Sequence, residues 1–154
     1  MPTQQVLLAK ALKVKNRQIQ RVRDLQQRIN ACNSYIQGSQ PDFDANALYA
    51  QLEVEVDRLW HTKAAINGAN APIQPVIYEL AEKKGLVTFL KGLNTQRGLQ
   101  LLAYMATQPQ EYESQITAQI AADKIAILEK EIDRLQDRLD EHNATTLVEV
   151  DVEE

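Results

Sequence analysis

The stretch IAILEKEIDRLQDRL, residues 125–139, decides the fold class. Its residues Ile125, Leu128, Ile132, Leu135 and Leu139 recur at alternating steps of three and four, and His142 extends the series. An α-helix has about 3.6 residues per turn, so this spacing gathers them on one stripe that meets other helices. Between them stand Glu129, Lys130, Glu131, Asp133, Arg134, Asp137, Arg138 and Asp140, a solvated or partner-pairing face. The stripe speaks for architecture rather than chemistry.

Composition agrees with a helical reading. A chain of 154 residues fits one domain, and 25% charged with 44% hydrophobic residues is ordinary for a globular protein. Aromatic residues make up only 5%, so the core must be built of Leu, Ile, Val and Ala, which suits helix packing. The single cysteine, Cys32, rules out an intramolecular disulfide and a multi-cysteine zinc site. It falls between Ile29 and Ile36 at helical spacing and reads as a small core residue. The N-terminal MPTQQVLLAKALKVK lacks the apolar region of a secretory signal. No apolar run approaches the ~18 residues of a membrane span, so a cytoplasmic protein is expected.

Periodicity predicts a first helix from about Thr3 to Ile36, on Leu8, Leu12, Ile19, Val22, Leu25, Ile29, Cys32 and Ile36, with Lys15 in one gap. Gly38 and Pro41 stop it, and Asp42 or Asp44 caps the next helix. That second helix runs from about Ala45 to Ile66 on Leu48, Leu52, Val56, Leu59 and Ile66, and Asn67-Gly68 ends it. A third begins near Pro75 on Ile77, Leu80, Val87 and Leu90. Residues 98–107 fit helix or strand. Glu113–Ile120 and Thr146–Val152 alternate and read as strands, and Asp123 caps the last helix, which ends near Asn143. The expected fold is mainly α: an antiparallel helical bundle with long first and last helices and a small β element near the C-terminus, in one domain over residues 1–154.

Charge is polarised. Residues 1–40 hold seven bases (Lys10, Lys13, Lys15, Arg17, Arg21, Arg23, Arg28) and one acid, whereas residues 101–154 hold four bases and thirteen acids. The first and last helices are therefore complementary in sign. The basic helix also invites a nucleic-acid reading, against which stand the net charge of −4 and the lack of interleaved aromatics. Asp57 and His61, four apart on one helix face, offer two metal ligands; two do not make a site, and the other histidine is His142. Neither histidine has the glutamate three positions earlier that a bundle di-iron site uses. There is no phosphate-binding glycine loop and no nucleophile elbow.

The order of several motifs resembles a family of small bacterial helical proteins that goes by the name septicolysin. They are Arg28-Ile29-Asn30-Ala31-Cys32-Asn33, Gln37-Gly38 before Pro41, Leu59 followed by Ile66-Asn67 and Asn70, and Leu80-Ala81-Glu82-Lys83-Lys84. Leu128–Leu139 and Asn143-Ala144-Thr145-Thr146-Leu147 complete the pattern, with Ala144 where that family usually has tryptophan. The resemblance implies a compact, oligomeric helical protein with a small β element and no established catalytic residues. Cytolysis does not follow from the name, because no helix here is apolar enough to span or coat a bilayer.

The leading expectation is a non-catalytic structural or interaction protein, a homo-oligomer or a subunit of a larger assembly, phage-type particles included. It would assemble through Ile19, Val22 and Ile29 of the first helix and Leu128, Ile132, Leu135 and Leu139 of the last. It would use no cofactor and no metal, and its partners would be copies of itself or other protein subunits, not a membrane. Two alternatives stay open: a nucleic-acid-associated protein using the basic helix, and a metal-dependent enzyme using His61, His142 and acidic neighbours at a subunit interface.

Overall fold

A computed structural model describes residues 2–100 and 109–152, so residues 101–107 of the ambiguous stretch lie outside the described residues. Among these the order is β1 (Thr3–Leu7), α1 (Leu8–Cys32), α2 (Ala45–Asn70), a 3-10 turn (Ala71–Ile73), α3 (Gln74–Lys91), β2 (Gly98–Gln100), β3 (Gln110–Tyr112), α4 (Ala118–Thr145) and β4 (Leu147–Asp151). The mainly-α fold with a small antiparallel strand pair is as expected. The residues fall into two compact units, Met1–Ile73 with Asp140–Glu154, and Gln74–Leu139.

In the first unit, β1 pairs antiparallel with β4, Thr3 opposite Asp151 and Leu7 opposite Leu147. The expected strand at the C-terminus is present. Its partner is a correction, because residues 3–7 were expected to begin the first helix. They form a strand because alternation aims Val6 at Val148 and Val150, which join Leu8, Ala11 and Ile66 in one buried cluster. The Leu8 amide then donates to the Thr146 carbonyl at 2.8 Å, so α1 starts where the ladder ends.

The helix boundaries follow from their caps. α1 ends at Cys32, which is buried, while Ile36 lies outside it and is 81% exposed. Ser39 donates from its amide to the Ile36 carbonyl at 3.0 Å, and Gly38 takes φ +88° at the third position of that turn. Asp44 caps α2, accepting from the amides of Asn46 and Ala47 at 2.9 and 3.3 Å. α2 runs through Asn67-Gly68 to Asn70, since neither residue takes the left-handed backbone that would stop it.

In the second unit, α3 and α4 run antiparallel, because Lys83 pairs with Glu131 and the later Lys91 pairs with the earlier Glu129. The acids at Glu129 and Glu131 of α4 thus meet lysines of α3. β2 pairs antiparallel with β3. The strand expected over Glu113–Ile120 is corrected: Thr117 caps α4 by accepting from the Ile120 amide at 3.2 Å, and Ile120 is helical. Asp123 lies inside α4 and accepts from the Gln119 side chain instead.

Lys83 also pairs with Glu79 at 3.0 Å. The hydrogen bond from Lys83 holds Glu79 below the usual carboxylate range, and those to Glu131 and then Glu79 hold Lys83 above the usual ammonium range. A lowered carboxylate stabilises the fold above its unfolded pKa and loses that contribution as pH falls through its folded value. A raised lysine contributes below its unfolded pKa and loses it as pH rises through its folded value. Melting temperature should therefore fall at both ends of the window, modestly because the groups are exposed, and less steeply in high salt. Lys83→Met should flatten both limbs; unchanged limbs would show that the network does not hold the helices.

Candidate functional site

The richest polar constellation lies in the first unit, where α2 meets the strand pair. Asp57, Arg58, His61, Thr62 and Ala65 occupy one side of α2, and Glu149 and Asp151 stand two apart on β4. With Thr3 and Val150 they line a cavity of about 540 Å³. That is within the usual size of a small-molecule pocket.

Arg58 is its centre. Its Nη1 lies 2.8 Å from Glu55 Oε1, and its Nε lies 3.2 Å from Asp151 Oδ2. The three side chains are only 12–16% exposed, so this ion triad is largely withdrawn from water. Thr3 donates to Glu149 across the strand pair and so fixes one wall. Thr62 is 2% exposed, and its hydroxyl finds no hydrogen-bond partner, nor does Gln18 Oε1 or Glu55 Oε2. Unmet buried polar groups are uncommon in folded proteins.

His61 sits at the rim, exposed. Its Nδ1 lies 2.8 Å from the Asp57 carbonyl oxygen, which only accepts, so Nδ1 is the donor of that bond. Trp60 stacks on His61 with ring centroids 3.5 Å apart and donates from its indole to Asp57 at 2.8 Å. The structure thus brings Asp57 and His61 together with Glu149 and Asp151, which lie far away in sequence.

His142 belongs elsewhere. Its Nε2 is 3.1 Å from the Ala69 carbonyl and its Nδ1 is 3.2 Å from the Thr146 hydroxyl, so it ties the end of α4 to the end of α2. Among the described residues no three or more His, Cys, Asp or Glu side chains are placed to hold a metal ion. Also among them, no helix is long and apolar enough to cross a membrane.

The residues expected at an interface divide between the units. Ile19, Val22 and Ile29 are half-buried on α1; Leu128, Ile132 and Leu139 are half-buried on α4, and Leu135 is fully enclosed at 0% exposure. The basic helix contributes Arg21 and Arg28 to a second cleft, about 660 Å³, which Arg58 also lines. Asp24 and Glu55 stand in the same cleft and offset much of its positive charge.

Sequence reading singled out Asp57 and His61 but missed Arg58, Thr62, Glu149 and Asp151. The usable signals were slight: Glu55 and Arg58 at a pairing distance of three, and the alternation of β4, which sets Glu149 and Asp151 on one face.

A model for a family of unknown function (DUF6847) matches residues 15–146. A crystal structure of a functionally unknown conserved protein from Corynebacterium diphtheriae is similar in fold, with a TM-score of 0.74 and 20% identity over 94% of this chain and 99% of that one. No curated protein matches the chain. None of these comparisons supports a septicolysin identity.

Proposed function

Since the chain belongs to this family of unknown function, we propose from its surface that it is a non-catalytic interaction protein that assembles with copies of itself. The observation that carries this reading is that α3 is apolar on two opposite sides. Val76, Leu80, Val87 and Leu90 are buried on one. Tyr78 and Phe89 project from the other, 65% and 59% exposed. The outer face of a helix on a lone globule is ordinarily polar, and two exposed aromatic rings there fit a face that is covered.

The same outer side carries Ala81 and Gly85, with Gly92 just past the helix end. A Cβ added at Gly85 would meet nothing within 4 Å, so the chain's own packing does not require glycine there. A mid-helix glycine costs about 1 kcal/mol relative to alanine, and a second helix approaching closely would account for it. An antiparallel copy related by a two-fold at Gly85 sets Tyr78 level with Gly92 and Phe89 level with Ala81. Large residues then face small ones, as a self-complementary interface requires. Membership of a larger assembly, phage-type particles included, is compatible with this surface.

Light scattering at micromolar concentration should give at least twice the 17.4 kDa chain mass. Tyr78→Glu with Phe89→Glu should reduce it to the chain mass without lowering the melting temperature. A parent protein that is monodisperse at 17.4 kDa would end this reading.

A further inference from the structure

Bases form a single row along α1. Lys10, Lys13, Arg17, Arg21 and Arg28 follow one another at steps of three, four, four and seven residues, and all are exposed. At about 100° per residue these steps keep them on one flank of the helix, beside the buried side that holds Ala11, Val14 and Gln18. At 1.5 Å per residue the row is about 27 Å long. The one acid of α1, Asp24, falls in the row and accepts from the Gln20 side-chain amide at 2.7 Å. Among the described residues Lys10, Lys13, Arg17 and Arg28 form no ion pair, whereas Lys83 and Lys91 of α3 are met by carboxylates. Glu129 and Glu131, two of the α4 acids opposite in sign to this helix, are held by those lysines.

The residues beside the row indicate its partner. Asn16, Gln20 and Gln27 occupy the exposed side next to it. A helix that lies on a bilayer sets large apolar residues beside its bases, and a single-strand binder sets aromatic rings there. α1 offers neither: it has no aromatic residue, and its Leu, Ile and Val side chains are buried or half-buried. Lysine, arginine and side-chain amides are groups that hold phosphates. We propose that α1 binds the phosphate backbone of a nucleic-acid duplex through this row, without reading base sequence. A helical row of that length follows about eight base pairs at 3.4 Å each. The net charge of −4 opposes this weakly, since charges more than ~8 Å from the row are screened at physiological salt. One chain carries the whole row, so binding does not depend on self-assembly through α3.

Fluorescence anisotropy of the full chain with labelled DNA and RNA duplexes of arbitrary sequence tests this. At least one duplex should bind at about 50 mM salt. Affinity should fall about 10²-fold by about 200 mM, as counterion release at roughly four phosphates requires. Arg28→Gln should weaken binding and lower the salt slope by about one, and Lys13→Gln with Arg28→Gln by about two, at an unchanged melting temperature. Arg23→Gln makes the same charge change about a third of a turn away from the row and should leave affinity within about twofold of the parent. No binding to either duplex, equal or tighter binding of a single strand, or equal losses in Arg23→Gln and Arg28→Gln would overturn the proposal. So would an unchanged duplex affinity in a double variant whose assembled mass falls, which would give the row to a neighbouring protein instead.

Discussion

Leu135→Asp is expected to unfold the α3–α4 unit. Leu135 lies in the middle of the α4 stripe and is 0% exposed. Leu135→Ala removes most of a fully buried side chain and should cost ~2–5 kcal/mol, depending on how far the neighbours close the cavity. Aspartate leaves the same gap and adds a buried carboxylate with no partner at that position, which raises the cost further. Whole domains are stable by only about 5–15 kcal/mol, so the aspartate variant should lose its cooperative transition. Two probes separate the units during a urea titration. Far-ultraviolet circular dichroism follows helices of both, while the single tryptophan, Trp60, reports on the first alone. If both variants melt like the parent by both probes, the stripe is not a packing face.

Arg58→Ala should be the next most damaging change, and it acts in the other unit. It strips Glu55 and Asp151 of their shared cation while leaving both carboxylates withdrawn from water. Removing one partner of a buried pair costs roughly 3–5 kcal/mol, and the 12–16% exposure of this triad points to about 3. Arg58→Met combined with Glu55→Met should recover part of that loss, because apolar groups of similar volume need no counter-charge. Denaturant midpoints of the single and double variants measure the coupling. A single variant within about 0.5 kcal/mol of the parent would place the triad among surface ion pairs of little consequence.

What could be read from the residues, and what could not, follows from where the deciding forces lie. The α4 stripe was legible because its spacing is a local property, and Leu135 turns out to be the enclosed residue of that helix. β4 was legible because Val148 and Val150 flank the polar Glu149 at a period of two, and both are buried. β1 was not, because Thr3–Leu7 offers only Val6 to a core, and Leu8 and Leu12 extend a helical spacing backwards over it. Only pairing with a strand far along the chain makes those residues extended. Ile116 and Ile120 misled for a related reason: residues four apart fit a helix start as well as a strand, and the Thr117 cap decides for the helix. In the pocket, Asp57 and His61 were visible as near neighbours on one helix. Arg58 gained meaning only when Asp151 arrived beside it, and no local pattern records that.

The β1–β4 pairing also bears on how this molecule is made. The first unit is assembled from two separate segments, and its buried cluster includes Val148 and Val150. A ribosome that has released the first seventy or so residues has made α1 and α2 but not the strand that covers them. Val6, Leu8 and Ile66 therefore lack part of their cover for most of synthesis, while the continuous stretch that forms α3 and α4 emerges between. Contacts between the two extremes of a sequence close late and at high entropic cost, whereas neighbouring helices dock early. The unit whose residues appear first is thus the one completed last, and its unfinished apolar face is the surface a nascent chain must keep from its neighbours.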